Sequence, residues 1–388
     1  MDNFVFQCPT KIIFGKNTEN EVGRETKRFS SKILLHYGGG SIKKSGLYEK
    51  VVNSLNEAGV EFIELPGAQP NPRLSLVKKG IDICRKNNIN FILAVGGGSA
   101  IDSAKAMAVG VPYDGDVWDF YKDKQKPVTE ALPIGVVLTL PATGSEASSS
   151  SVITNEEGNF KKGIGSDFIR PRFAIMDPCL TFPLPPSQTA NGAADIMAHV
   201  MERYFTNTTN VELTDRLCEA TLRTVINNAP IALKEPDNYN ARAEIMWAGT
   251  IAHNGLLGTG RAEDWASHKI EHELSGIYDV AHGAGLATIY PAWMKYVYKT
   301  NVDKFAQYAV RVWGIELDTE NPENTALKGI EALKDFFRNI NLPTSLKELN
   351  VPYDRFEEMA EKCTMQGPVG GLKKIYKQDV LNILNLAK

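Results

Sequence analysis

The residues best suited to chemistry in this 388-residue chain are its histidines. One of the six, His36, lies in an apolar run; the other five fall between His199 and His282. Asp195 and His199 stand four apart in Asp-Ile-Met-Ala-His, which puts both on one face of a helix. His268 and His272 repeat that spacing, and His282 follows in Ala-His-Gly-Ala-Gly, which reads as a glycine-bordered loop. Three imidazoles and one carboxylate complete a ligand set for a divalent cation, with room for a substrate oxygen. Spacing does not say whether His268 or His272 is the third ligand. Blander roles compete: Asp195 as a buried acid near a helix start, His272 paired with Glu271 or Glu273. His253, before Asn254 and Gly255, reads as a helix-end residue near the negative pole of the dipole. A cation here would polarise a carbonyl oxygen or lower an alcohol's pKa. Hydride transfer would then need only a nicotinamide held against the substrate carbon. A mixed nitrogen and oxygen set suits Fe(II) or Zn(II).

Such chemistry requires a dinucleotide site. Two strands run straight into Gly-Gly-Gly-Ser turns, at Gly38–Ser41 and Gly96–Ser99. Glycine lets backbone approach a phosphate, and a following helix aims free amides at the anion. The second turn is the stronger candidate, since a helix bearing Asp102 follows and Ser99 can cap it or donate to phosphate. Neither turn is a GxGxxG or Walker motif, and the bland reading is a tight strand-to-helix connection. Thr139-Leu-Pro-Ala-Thr143-Gly-Ser145 also follows a buried strand; its hydroxyls can serve phosphate or nicotinamide amide, or simply a polar turn. After Tyr37 no carboxylate follows to take ribose hydroxyls, and Lys43 and Lys44 are near, which favours a 2′-phosphate and NADP over NAD.

The elements that must position these residues divide in two. The first half alternates apolar strands (Lys32–Tyr37, Glu61–Leu65, Phe91–Val95, Ile134–Leu140, Phe173–Met176) with helices (Leu47–Ala58, Leu74–Asn87, Ala100–Ala108), a parallel α/β pattern. From about Thr189 the pattern is helical: Ala190–Phe205, Glu212–Asn227, Asn240–Asn254, Trp265–Leu274, Ala292–Ala309 and Ala326–Asn339. Pro183, Pro185 and Pro186 mark the boundary. The expected fold is a Rossmann-like α/β dinucleotide-binding domain over 1–185, followed by an all-α metal and substrate domain over 186–388, with the active site in the cleft between them. Val5–Phe14 alternates enough for a hairpin that could pair across a dimer. A net charge of -3 without basic runs argues against nucleic acid. No apolar stretch has membrane-spanning length, and the opening residues lack a signal-peptide pattern. Five scattered cysteines without metal spacing read as reduced thiols in a cytoplasmic enzyme.

The motifs together resemble the iron-containing (group III) alcohol dehydrogenases, in their NADPH-dependent butanol dehydrogenase and broad aldehyde reductase branch. The matching pieces are YGGGSIKKSGLY at 37–48, PNP at 70–72, AVGGGSAIDSAK at 94–105, LPATGSEAS at 140–148, DPCLTFPLPP at 177–186, ANGAADIMAHVMERY at 190–204 and DWASHKIEHELSGIYDVAHGAGLA at 264–287. They keep the family's order and span most of the chain. The resemblance implies Asp195, His199, His268 and His282 as metal ligands. It makes His272 a non-ligand near nicotinamide and substrate, serving as a catalytic proton relay. It places the cofactor phosphates at Gly97, Gly98 and Ser99, with Asp102 counted in the cofactor set. Thr139, Thr143, Asn71 and Lys161 (or its neighbour Lys162) fall at cofactor contacts, and Gly38, Gly39 and Ser41 match the branch that accepts a 2′-phosphate. It implies NADP(H), a divalent metal with Fe(II) ahead of Zn(II), a small alcohol or aldehyde as substrate, and a homodimer or larger homo-oligomer.

Two other readings are open. A dehydroquinate-synthase-like, metal- and NAD-dependent lyase would need several basic residues for an anionic substrate. Here Arg203, Arg261 and Lys269 stand beside Trp265 and Tyr278, a set that better suits a neutral aldehyde. A nucleotide-sensing relative with a dead site is opposed by the intact ligand set.

Overall fold

The structure, a computed structural model, describes residues 1–123 and 126–388. It comprises two compact units: Gln7–Leu184 with Asp237–Met246, and Met1–Phe6 with Pro185–Pro236 and Trp247–Lys388.

The first unit is built on a six-stranded parallel sheet. Its strands are β1 (Lys11–Phe14), β2 (Lys32–Gly38), β3 (Glu61–Ala68), β4 (Ile92–Gly96), β5 (Ile134–Leu138) and β8 (Phe173–Met176), in the order β1-β8-β5-β4-β2-β3. The central strands are apolar on both faces because both are covered. Leu34, Ala94, Val136 and Ala174 point into one core, and Ile33, Leu35, Leu93, Val95, Val137 and Ile175 into the other. The chain leaves β2 for β3 on one side and returns to β4 on the other. That reversal makes the carboxyl ends of β2 and β4 the switch point at which doubly wound sheets bind ligands. Both glycine-serine turns stand there.

Two expectations fail in this unit, and one element was not foreseen. Val5–Phe14 is no hairpin: only Lys11–Phe14 is a strand, and it pairs in parallel with β8. A polar hairpin not foreseen, β6 (Ser150–Asn155) and β7 (Phe160–Gly165), turns through Gly158 (φ 83°) and Asn159 (φ 52°). Ser99 does not cap its helix: Gly98–Gly110 starts one residue earlier with Gly97 as N-cap, and the Ser99 carbonyl accepts from Ser103 Oγ at 2.8 Å.

The second unit is helical, as its patterning implies: Pro186–Tyr204, Glu212–Lys234, Ala266–Tyr278, His282–Val297, Val302–Trp313, Pro322–Asn339, Phe356–Thr364 and Lys377–Leu386. It also takes the end of Tyr239–His253. Met1–Phe6 lies against it, with the amino terminus donating to the Thr209 carbonyl at 2.7 Å. Several boundaries differ from expectation: the helix expected over Glu212–Asn227 runs on to Lys234 with Pro230 inside it, the one expected from Ala190 starts at Pro186, and the last two helices were not foreseen. The aromatic stretch Ala292–Ala309 is two helices, parted at Tyr298–Asn301, where the Asn301 side chain accepts from the Lys304 amide and starts the second. His282 opens the helix His282–Val297 rather than sitting in a loop, and Gly283 lets that helix start pack on Asn191: a Cβ there would lie 2.1 Å from the Asn191 carbonyl oxygen. Among the described residues no helix is long and apolar enough to cross a membrane.

Candidate active site

The helix Pro186–Tyr204 is buried almost throughout from Thr189 onward and presents Asp195 and His199 one turn apart. His268 and His272 come from Ala266–Tyr278, and His282 from the first turn of the next helix. Three imidazoles aim Nε2 at one oxygen. Asp195 Oδ1 is 3.2 Å from His199 Nε2, 3.7 Å from His282 Nε2 and 4.0 Å from His268 Nε2. Ligands about 2.1 Å from a tetrahedral cation lie about 3.4 Å apart, so these spacings bracket a metal's coordination edge. Asp195 Oδ1 and His268 Nε2 are buried without a hydrogen-bond partner among the described residues. Buried polar atoms are normally satisfied, so two orphans aimed at a common point fit a cation. Asp195, His268 and His282 form a group able to hold one, and Glu271, His272 and His282 form a second.

The protonation states agree. Burial alone would raise the Asp195 carboxyl, but His199, His282 and His268 outweigh it and hold the group well below the usual range. Burial pushes His199 down to about 4 against the pull of Asp195, so the imidazole is neutral, as a ligand must be. Each ring is also oriented through Nδ1. Glu202 Oε1 accepts from His268 Nδ1 at 2.6 Å. Glu271 Oε2 accepts from His282 Nδ1. His199 Nδ1 faces His253 Nδ1 at 2.8 Å. Glu202 further accepts from the Trp265 amide at 2.6 Å and from the Ser267 hydroxyl. Sequence reasoning missed Glu202, Glu271 and the part of His253. Each carboxylate stands three residues after a histidine of the cluster yet serves a histidine on another helix, so intrahelical spacing does not reveal the pair. His272 is buried, its ring 5.7 Å from that of His282.

The cofactor-type residues gather in the sheet unit. At Gly98 a Cβ would lie 2.5 Å from Thr143 Oγ1, and at Gly97 3.0 Å from Leu140 Cβ. The loop after β5 therefore closes on the start of Gly98–Gly110 only because those side chains are absent. Thr139 bonds its amide to the Gly96 carbonyl at 3.1 Å. Both Asp102 carboxylate oxygens have protein donors, Ser145 Oγ at 2.6 Å and the Val152 amide at 2.9 Å, so Asp102 ties the helix to the following loop. Asn71 is buried at φ 55°; next to it, Pro72 accepts from the Thr154 amide at 2.6 Å, and Thr154 is the register partner of Lys161. Lys162 stacks on Phe160 instead. At the first turn, Gly38 ends β2, Gly40 takes φ 126°, and Ser41 starts a short turn of helix; a Cβ at Gly39 would meet open space.

One feature of that turn was not legible. A carboxylate does stand beside it: Glu64, on β3, accepts from the Tyr37 hydroxyl and from Tyr48 at 2.6 Å, and lies 3.8 Å from Lys43 Nζ. Burial would raise the Glu64 carboxyl, but the two hydroxyls and Lys43 lower it, so it is ionised.

Comparison with known proteins agrees with both halves of this geometry. Residues 9–178 match the model of the iron-containing alcohol dehydrogenases, and residues 189–387 match the Fe-containing alcohol dehydrogenase family, C-terminal. The chain is 45% identical over 386 residues to NADH-dependent butanol dehydrogenase A of Clostridium acetobutylicum, covering 99% of each chain. It is 37% identical to an NADPH-dependent aldehyde reductase of Escherichia coli, covering 95% of this chain and 94% of that one. The crystal structure of NADH-dependent butanol dehydrogenase A from Thermotoga maritima superposes with a TM-score of 0.96 at 41% identity, over 100% of this chain and 99% of that one. With a Rossmann-like α/β unit followed by a helical one, and both family models covering nearly its whole length, the chain belongs to the iron-containing alcohol dehydrogenases.

Proposed function

We propose that this enzyme transfers a hydride between NADP(H) and a small primary alcohol or aldehyde, of the butanol and butanal kind. In this reading Asp195, His199, His268 and His282 hold Fe(II), with Zn(II) the alternative occupant. Residues 1–185 carry the dinucleotide, and 186–388 the cation and substrate. The observation that supports it most is the convergence of three Nε2 atoms on Asp195 Oδ1. A bound divalent cation supplies Lewis acidity toward a carbonyl oxygen.

The remaining work falls to the chain. The free amides at the start of Gly98–Gly110 bind the pyrophosphate near Gly97, Gly98 and Ser99, and Asp102 holds that helix to the Ser145–Val152 segment. Thr139, Thr143, Asn71 and Lys161 orient the nicotinamide half. His272, buried beside His282, moves the proton to or from the substrate oxygen. Gly38, Gly39 and Ser41 take the 2′-phosphate, with Lys43 supplying positive charge. The relatives divide by name between NADH and NADPH. Our preference for NADP(H) rests on Gly38, Gly39 and Ser41 matching the branch that accepts a 2′-phosphate and on Lys43 nearby; the ionised Glu64 beside the turn weighs the other way, toward NAD.

The lyase gains no support. Arg203 donates to the His199 carbonyl at 2.6 Å and pairs with Glu263 at 3.2 Å. Arg261 donates to the Arg203 and Val211 carbonyls and pairs with Asp215 at 2.9 Å. Both arginines are thus committed within the protein. Exposed Phe4, Val5 and Phe6 support an assembly of two or more copies, and five free cysteines suit the cytoplasm.

The test is metal analysis of anaerobically purified protein, with nicotinamide absorbance followed for butanal under NADPH and under NADH. Loss of turnover on chelation, its return with Fe(II), and a higher kcat/KM for NADPH are the expected results. Turnover indifferent to chelation refutes the metal assignment, and a preference for NADH refutes the cofactor assignment.

A further inference from the structure

The three imidazoles around Asp195 are not held alike. His268 and His282 each present Nδ1 to a fully buried carboxylate, Glu202 or Glu271. His199 presents Nδ1 to another imidazole, that of His253, at 2.8 Å. The two rings meet near a right angle, at 83° with centroids 4.2 Å apart, an edge-on arrangement that brings the two Nδ1 atoms into contact. Trp265 closes the arrangement, 5.7 Å from His199 and 5.6 Å from His253. His253 ends the helix Tyr239–His253, where the following Gly255 turns at φ 102°.

This geometry fixes the protons. If Nε2 of His199 bonds a cation, its one proton sits on Nδ1 and must be donated. His253 Nδ1 must then be bare and accept, with its own proton on Nε2. We infer that His253 is a positioning residue for the metal centre: it accepts the Nδ1 proton of His199 and so fixes the tautomer and angle of that ligand. The inference rests on the metal site proposed above. It adds that the site has two ligands backed by anions and one backed by a neutral group. A carboxylate partner makes an imidazole a stronger donor, so His199 is the weakest of the three grips and the one most dependent on orientation.

Cobalt(II) binding to metal-free full-length protein tests this without turnover. Affinity is measured by competition with a chelator, and the visible spectrum reports the ligand field. His253→Phe keeps a ring but removes the acceptor; His253→Leu is a second acceptor-free variant. His253→Asn puts an oxygen where Nδ1 stands. The expected result is an affinity about 10- to 100-fold weaker for Phe and Leu, with Asn restoring it to within about threefold. The metal-free melting temperature of each variant separates loss of the hydrogen bond from loss of the fold. Wild-type affinity in both acceptor-free variants overturns the inference, as does an Asn variant no better than Phe at equal melting temperature. Wild-type protein that takes up no stoichiometric cobalt overturns the metal site itself, a different failure.

Discussion

The glycine turn after β4 and the histidine cluster, the two regions proposed to carry the chemistry, are built on opposite principles. The cofactor turn works through side chains that are missing: Gly98 meets Thr143 only because it has no Cβ. The histidine cluster works through side chains that converge, from Asp195 to His282, with each of the three imidazoles backed by a further side chain. The first tolerates no addition, the second no subtraction. The histidines sharpen the contrast. His36 in the sheet unit bonds Nδ1 to the Leu65 carbonyl at 2.8 Å and buries Nε2 without a hydrogen bond among the described residues, aimed at no carboxylate. His199 is as buried, but its Nε2 faces Asp195. Burial alone makes a structural histidine; burial opposite a shared carboxylate is what supports the proposed role of His199.

That contrast can be broken by experiment. The largest effect belongs to Asp195→Ala, which should empty the site and lower kcat by roughly three orders of magnitude, the scale of lost Lewis-acid stabilisation. Metal content is the check, and retained metal would refute the ligand set. Next, His272→Ala should keep the metal while kcat falls by about 10²-fold, as for loss of a general acid. Metal lost with it would make His272 a ligand. Gly98→Ala should raise the cofactor KM by up to about 100-fold through displacement of the loop at Thr143, with metal content unchanged. Equal loss of metal and cofactor would mean the mutation disrupts more than the turn.

The smallest effect at neutral pH is that of His36. Burial lowers it from 6.5 to about 4 despite its bond to Leu65. Between those values the unfolded chain binds the extra proton and the native one does not. Stability therefore falls as pH drops from 6.5 to about 4, by roughly 3 kcal/mol, and is unaffected above. His36→Leu should flatten that limb in denaturant titrations at several pH values; an unchanged limb would place the acid sensitivity elsewhere.

Most of the sheet was legible because the central strands, such as Ile92–Gly96, are apolar on both faces and end at glycine. β1 was not, since Lys11–Phe14 finds its partner at Phe173–Met176 and no local pattern encodes that pairing. The β6–β7 hairpin hid because its strands are polar; the signal was Glu157-Gly158-Asn159 between Thr154 and Phe160. In the site, i,i+4 spacing exposed Asp195 with His199, whereas the supports at Glu202 and Glu271 act between helices. Glu64 escaped for a similar reason: it lies on β3, while the turn it adjoins follows β2.

Glu202 has one more consequence. Trp265 sits at φ 68°, a conformation that costs a bulky residue about 1–2 kcal/mol, and the buried carboxylate holds it there while fixing Ser267 and His268. One buried carboxylate thus braces both the backbone at Trp265 and the ring of His268, so Glu202→Gln should loosen the two together.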